Sequence, residues 1–223
     1  MKFDLHVHSC YSKDSNASLD DILKHAASNR LDGFAICDHD RIEGGFACAK
    51  RAKELGSKLI VIPGVEVSSS KGHILALGIH EPIEPGLSPE ETIKKAREQN
   101  AVVIIPHPFK MTSHGIGYIE GLDADAIEVL NSRCVTDGPN NKARKAAMEL
   151  GFPMTGGSDA HEAEMVGRSY TEIDTSATSV EDVLDAIRTG KTSPGGGKTP
   201  VSFVVKQMFI GHINKLSRRL GMR

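Results

Sequence analysis

Lys2-Phe3-Asp4-Leu5-His6-Val7-His8, at the start of the chain, alternates apolar and polar residues with period two. Phe3, Leu5 and Val7 therefore face one side of a strand and Asp4, His6 and His8 the other, so two imidazoles point the same way at one strand end. Taken alone, such a pair suits two satisfied, partly buried histidines as well as it suits a metal. Its weight comes from the strands that follow.

Ser18-Leu19-Asp20-Asp21 is a capping signal that opens an amphipathic helix running to about Asn29. The apolar strand Gly33 to Cys37 ends at Asp38-His39-Asp40, and a helix over roughly Gly45 to Leu55 leads to a strand over Lys58 to Ile62 that runs into Pro63-Gly64-Val65-Glu66. His73 to His80 reads as a fourth strand. Ser88-Pro89-Glu90-Glu91 is a strong helix start, with Ser as cap, Pro at the first helical position and Glu three residues after the cap. Ala101 to Ile105 ends at Pro106-His107-Pro108, and Ala126 to Leu130 ends at Asn131-Ser132-Arg133. A helix over Asn141 to Leu150 precedes a short strand, Pro153 to Thr155, that delivers Gly156-Gly157-Ser158-Asp159-Ala160-His161.

Strands alternating with helices predict a parallel α/β sheet with right-handed crossovers, either closed into a barrel or open and doubly wound. The polar residues favour the barrel. His6 and His8, Asp38 and His39, Glu66, His107, and Asp159 and His161 all follow the carboxyl ends of successive strands, where barrel enzymes gather their reacting groups.

The chain has 223 residues, 39% of them hydrophobic, enough for one sizeable core. With 27 basic against 29 acidic residues, neither a general nucleic-acid coat nor a membrane-attracted surface is expected, and 4% aromatics without Trp gives little from which to build a base-stacking platform. The longest apolar runs are too short to span a bilayer. Cys10, Cys37, Cys48 and Cys134 form no CxxC pair, and no export signal precedes the first strand, so free thiols and a cytoplasmic setting are expected. The glycine triplet Gly195 to Gly197 is read as the end of a barrel over 1–195. It is followed by a tail, 196–223, with six Lys or Arg and no acid from Lys198 onward. That tail is expected to be a docked terminal helix, with a nucleic-acid contact as the alternative. Gly197-Lys198-Thr199 suggests a phosphate loop, but Thr192 stands where the earlier glycine is required.

Clustered imidazoles and carboxylates suit Zn, Mn or Fe rather than a Mg site built mainly from oxygen. Such ions lower the pKa of a bound water from about 15.7 to about 7 and absorb charge developing on phosphoryl oxygens. His6-x-His8, Asp38-His39, Glu66 after Pro63-Gly64, Pro106-His107-Pro108 and Gly157-Ser158-Asp159-Ala160-His161 resemble, in order and spacing, the motifs of the polymerase and histidinol phosphatase (PHP) superfamily, over about residues 1–195.

The resemblance implies a distorted (β/α)7 TIM-like barrel with two or three divalent ions in a cleft at the strand carboxyl ends. Carried over, His6, His8, Glu66 and Asp159 form one site, Glu66, His73 and His107 a second, and His39 and His161 a third. Asp14, where some members have a histidine, either completes the third site or does not. His73 and His80 compete for the second site. His73 is preferred because its surroundings look more like the compact phosphoesterase branch. Asp38 orients a ligand imidazole or coordinates directly.

Arg133, Arg168 and Lys110, each a few residues beyond a ligand loop, are candidates for phosphate contact, and His161 and Asp159 for a direct part in the reaction. Glu128 reads either as a support for the ligands or as a solvated carboxylate. His25, His114 and His212 read as surface or structural histidines.

The implied activity is hydrolysis of phosphomonoesters of small metabolites or nucleotides, or of terminal phosphodiesters, by a metal-bound hydroxide. Two alternatives are an amidohydrolase-type reaction at the same ions and a non-catalytic RNA-protein scaffold.

Overall fold

The computed structural model describes residues 1–111 and 114–203. The basic tail beyond Phe203, with His212, lies outside the described residues. In chain order the elements are β1 (Lys2–Val7), α1 (Leu19–Ser28), β2 (Gly33–Ile36), α2 (Glu43–Glu54), β3 (Ile60–Ser68), β4 (His73–Leu77), α3 (Pro89–Arg97), β5 (Val102–Ile105), β6 (Ala126–Asn131), α4 (Gly138–Leu150), β7 (Met154–Gly157), β8 (Ser169–Ile173), α5 (Val180–Arg188) and β9 (Thr192–Gly196).

The helices start where local chemistry dictates. The Ser18 hydroxyl accepts the Asp21 N–H at the head of α1, and Ser88 with Glu91, and Ser179 with Asp182, form reciprocal capping boxes at α3 and α5. These caps satisfy amide donors that the first helical turn leaves without partners.

Among the described residues the strands form one sheet in the order β7-β6-β5-β4-β3-β2-β1-β8-β9. Pairs β1–β2, β2–β3, β5–β6 and β6–β7 are parallel. The expected run of parallel strands is broken at β4, which is antiparallel to both β3 and β5. β3 continues well past Ile62, and the chain reverses at Ser69 to Gly72, so Glu66 stands opposite Leu75 and Ser68 opposite His73. A connection this short cannot carry the crossover that a parallel neighbour needs.

β8 and β9 extend the sheet beyond β1 as antiparallel strands that the sequence reading did not anticipate. Gly195 and Gly196 of the glycine triplet pair with Tyr170 and Ser169, so the triplet belongs to the sheet.

The sheet curls until its ends meet, giving a nearly closed barrel. Thr171 Oγ1 accepts the Gly156 N–H and donates to the Gly156 carbonyl, Asp4 Oδ1 accepts the Ser158 N–H, and Val7 bridges Ala160 in parallel. The Gly156-Gly157 pair permits this approach. A Cβ at Gly157 would sit 2.6 Å from His6 Cβ, and one at Gly156 would sit 2.7 Å from the Tyr170 carbonyl oxygen.

Residues from seven strands, including Phe3, Ala35, Ile62, Leu77, Val102, Ala126 and Ile173, pack in one cluster with Val183, Leu184 and Ile187 of α5. Only a sheet wrapped on itself brings seven strands onto one short helix. α5 thus closes the end where the parallel strands begin and β4 finishes. The opposite end is left for the polar residues.

Candidate metal centre

Glu66 is the hub of that opposite end. Val65 and Val67, on either side of it, enter the apolar core, and the alternation of β3 turns the Glu66 side chain the other way. Its Oε1 lies 2.7 Å from His73 Nδ1 and 3.0 Å from His107 Nε2. Its Oε2 lies 3.4 Å from His6 Nε2, 3.2 Å from His8 Nε2 and 3.2 Å from His39 Nδ1. Five imidazoles from four segments of the chain thus address one buried carboxylate.

A second acid, Asp159, stands with Oδ1 3.5 Å from His8 Nε2 and 3.9 Å from His6 Nε2. A third, Asp14, has Oδ2 3.4 Å from His39 Nε2 and 3.2 Å from His161 Nε2. Among the described residues the groups with ligand spacing are His6, Glu66 and His107; His6, His8 and Asp159; His39, Glu66 and His73; and His8, Asp14, His39 and His161.

Backbone strain accompanies this convergence: His107 and Asp159 hold φ of 31° and 52°, in the left-handed region that side chains rarely adopt. Burial pushes the carboxyl groups of Glu66 and Asp159 up, and the surrounding charge overrides it. The neighbouring imidazoles hold Glu66 well below the ordinary carboxylate range, while Lys110, Arg133 and His6 do the same for Asp159. Burial and the Arg133 charge lower His161 to about 3, so that imidazole is a neutral donor of electron pairs.

The donor set fits a cation better than it fits itself. His6 Nε2 and His8 Nε2 face each other at 3.2 Å, where one proton at most can lie between them. His8 Nδ1 and His107 Nδ1 are buried without a hydrogen-bond partner, and His39 Nδ1 makes no aligned hydrogen bond despite the Glu66 carboxylate at 3.2 Å. Buried polar atoms are seldom left so. Imidazole nitrogens with shared carboxylates suit Zn, Mn or Fe.

Around this shell stand residues that contact it. Glu128 Oε1 accepts from His6 Nδ1 at 3.0 Å. Asn131 Nδ2 donates to Glu128 Oε2 and to Asp159 Oδ2. Arg133 Nη1 is 3.1 Å from Asp159 Oδ1 and 3.0 Å from His161 Nδ1, and Lys110 Nζ donates to Asp159 Oδ2 at 3.0 Å. The residues open onto a cavity of about 350 Å³ that also takes in His114, Met111, Val135 and Pro139.

Two expected site residues stand apart from the cluster. Asp38 belongs to none of the groups with ligand spacing, and its oxygens accept the Ser9 N–H and hydroxyl, both at 2.7 Å. That bond fixes the loop after His8. Arg168 is exposed, outside the cavity lining, at the start of the unanticipated β8. His80 is also exposed, at the end of the barrel that α5 closes, because the reversal of β4 sends its first residue to the metal-ligand end.

Asn131 and His114 were given no role by sequence. Asn131 ends β6, the strand position that carries acids and histidines elsewhere in the chain, and that placement is its signal. His114, whose Nδ1 lies 3.2 Å from His73 Nε2, comes from the loop between β5 and β6 and carries no local signal.

A PHP domain model matches residues 4–119, more than half of the chain. The chain belongs to the PHP domain family. A PHP-associated model matches residues 137–192. An uncharacterized protein of Methanocaldococcus jannaschii is 38% identical over 143 residues, which are 59% of this chain and 82% of that one.

Among solved structures, a two-domain Bacteroides vulgatus protein containing a predicted PHP-like metal-dependent phosphoesterase has TM-score 0.72 at 19% identity, covering 88% of this chain and 65% of that one. The lesion-specific endonuclease PfuEndoQ of Pyrococcus furiosus has TM-score 0.63 at 18% identity, covering 86% and 57%. This PHP chain thus spans less than two thirds of either structure, and both share its fold. The described helices include none long and apolar enough to cross a membrane.

Proposed function

We propose that this PHP domain is a metal-dependent phosphoesterase that removes a terminal phosphate from a small metabolite or nucleotide, or cleaves a terminal phosphodiester. The observation that carries the reading is the set of five imidazoles within 3.4 Å of the Glu66 carboxylate. His6, His8, Glu66 and Asp159 would hold one ion, Glu66, His73 and His107 a second, and Asp14, His39 and His161 a third. Zn or Mn suits these donors, with Fe a further candidate. Ions bound there supply an acidified water and positive charge for the phosphoryl oxygens.

The protein's own residues complete the site. Lys110 and Arg133 bring two cations to the side of Asp159 that faces the cavity. There they would bind phosphoryl oxygens, Arg133 through its planar fork. His161 and Asp159 place a neutral imidazole and an ionised acid beside them, which favours ion binding at neutral pH. The apolar side of the cavity is formed by Met111, Val135 and Pro139, and it would receive the body of the leaving group. A volume of about 350 Å³ suits a compact substrate or the end of a chain. The kinship in fold with an endonuclease supports a nucleotide or short nucleic acid among the substrates.

The test is hydrolysis of a panel of phosphomonoesters and short oligonucleotides, beside cyclic amides and lactones, before and after chelation and with Mn or Zn restored. Metal-dependent turnover of phosphate esters is the expected result. Turnover that survives prolonged chelation, or that is confined to amides and lactones, sinks the reading.

A further inference from the structure

Glu128 lies at the back of the cluster, buried on β6, and none of the donor groups with ligand spacing includes it. Both of its oxygens are used. Oε1 accepts the His6 Nδ1–H at 3.0 Å. Oε2 accepts the His107 backbone N–H and an Asn131 Nδ2–H, both at 2.9 Å. The same Asn131 amide gives its other contact to Asp159 Oδ2 at 3.2 Å, and the Asn131 backbone N–H is itself held by Asn140 Oδ1 at the head of α4. One side chain therefore reaches His6 on β1, the strained peptide of His107 after β5 and, through Asn131, Asp159 after β7.

We infer that Glu128 is a positioning residue that fixes which His6 nitrogen faces the metals and locks the His107 loop in its left-handed conformation, so that two ion sites are set by one carboxylate. A carboxylate only accepts hydrogen bonds, so the His6 proton sits on Nδ1, and Nε2 presents its electron pair toward Glu66, Asp159 and His8. The geometry demands a carboxylate at position 128. A glutamine has one acceptor oxygen, and whichever way its amide turns, its NH2 meets the His6 Nδ1–H on one side or the His107 and Asn131 N–H groups on the other. Gly157 belongs to the same device, because a Cβ there would stand 2.5 Å from Glu128 Oε1. The inference rests on the reading that His6 and His107 are metal ligands, and it assigns how the chain prepares them.

The experiment pairs a spectroscopic readout on the unaltered protein with a variant comparison. In protein labelled with ¹⁵N-histidine, two-bond ¹⁵N–¹H correlations, assigned by the signal lost in His6→Asn, should show a proton on His6 Nδ1 both metal-free and after loading with Zn²⁺. Competition with a chelating dye then gives Zn²⁺ affinity for the wild type, Glu128→Gln and the control Val129→Ala, which trims a neighbouring core side chain. Glu128→Gln should weaken Zn²⁺ binding by about 10- to 100-fold, and Val129→Ala should stay within about threefold of wild type, given that trimming a core side chain away from the ligands leaves their shell in place.

A bare His6 Nδ1 overturns the inference, as does wild-type affinity in Glu128→Gln or an equal loss in Val129→Ala. Should Glu128→Gln fail to fold, the nitrogen assignment decides alone. Zn²⁺ binding with these properties in a protein that hydrolyses no phosphate ester would leave this inference standing while the proposed reaction falls.

Discussion

His73 Nδ1 lies 2.7 Å from Glu66 Oε1 across a hairpin whose register sets Ser68 opposite His73. The contact exists because β4 runs backwards, and it separates the two histidines that flank that strand. His73→Ala is expected to lower metal content and to reduce phosphoesterase kcat/KM by about 100-fold or more, the scale of losing a group that organises charge in the transition state. His80→Ala should leave both within about twofold, since His80 is exposed at the other end of the barrel. Elemental analysis with steady-state kinetics on the two variants checks this, and the reverse ranking would refute the assignment.

Glu66→Gln should abolish uptake at more than one site, because the carboxylate is shared by donors of several groups. Ion binding to the folded state alone stabilises it by about 2.7 kcal/mol at a free-ion concentration one hundred times Kd. Calorimetry should therefore show a Zn²⁺- or Mn²⁺-dependent rise in Tm for the wild type and a clearly smaller one for the variant. An undiminished rise would remove Glu66 from the centre.

Lys110 stands beside Asp159 on the cavity side, and its proposed role is to bind substrate, not the ions. Lys110→Met is expected to reduce kcat/KM by about 100-fold with metal stoichiometry unchanged. Loss of metal in step with activity would instead make Lys110 a support for Asp159.

Gly157→Ala should destabilise the fold by about 1–3 kcal/mol, the usual penalty for overfilling a packed region. Its Cβ would press on His6 Cβ and Glu128 Oε1. Denaturant unfolding of metal-free protein measures this directly. A neutral result would show that β7 and β1 approach less closely than described.

The thiols should divide one to three. Cys10 is exposed, whereas Cys37, Cys48 and Cys134 are buried. Burial pushes the Cys48 thiol up to about 12 and Cys134 to about 11, and raises Cys37 well above the ordinary range. A disulfide reagent at pH 8 should label one thiol quickly in the native protein and the remaining three only on unfolding. Fast labelling of Cys134 would mean that the cavity wall opens.

The sequence was informative where structure is local. The alternation of Phe3, Leu5 and Val7, the capping serines at 18 and 88, and acids and histidines at strand ends are short-range signals, and they located β1 to β7 and most of the cluster. The direction of β4 was not legible, because a five-residue apolar strand that opens on His73 and is followed by His80 offers a histidine at either end, and only pairing decides. Thr192–Gly196 has the composition of a turn and becomes β9 through pairing with β8. Arg168 is near a ligand loop in sequence only, and it lies exposed just before β8. The role of Glu128 depends on His6 and His107, 122 and 21 residues distant, and no spacing rule encodes such a meeting.

The seam at which Asp4 meets Ser158, 154 residues later, governs when the protein acquires its chemistry. Contacts of such separation form late, after the entropy of closing a long loop has been overcome. During synthesis His6 and His8 emerge well before Asp159 and His161, which lie about as far along the chain from them as Ser158 lies from Asp4. If the centre holds ions as proposed, an incomplete nascent chain would bind them weakly, and high-affinity capture would be a late event that reports a correctly wound barrel.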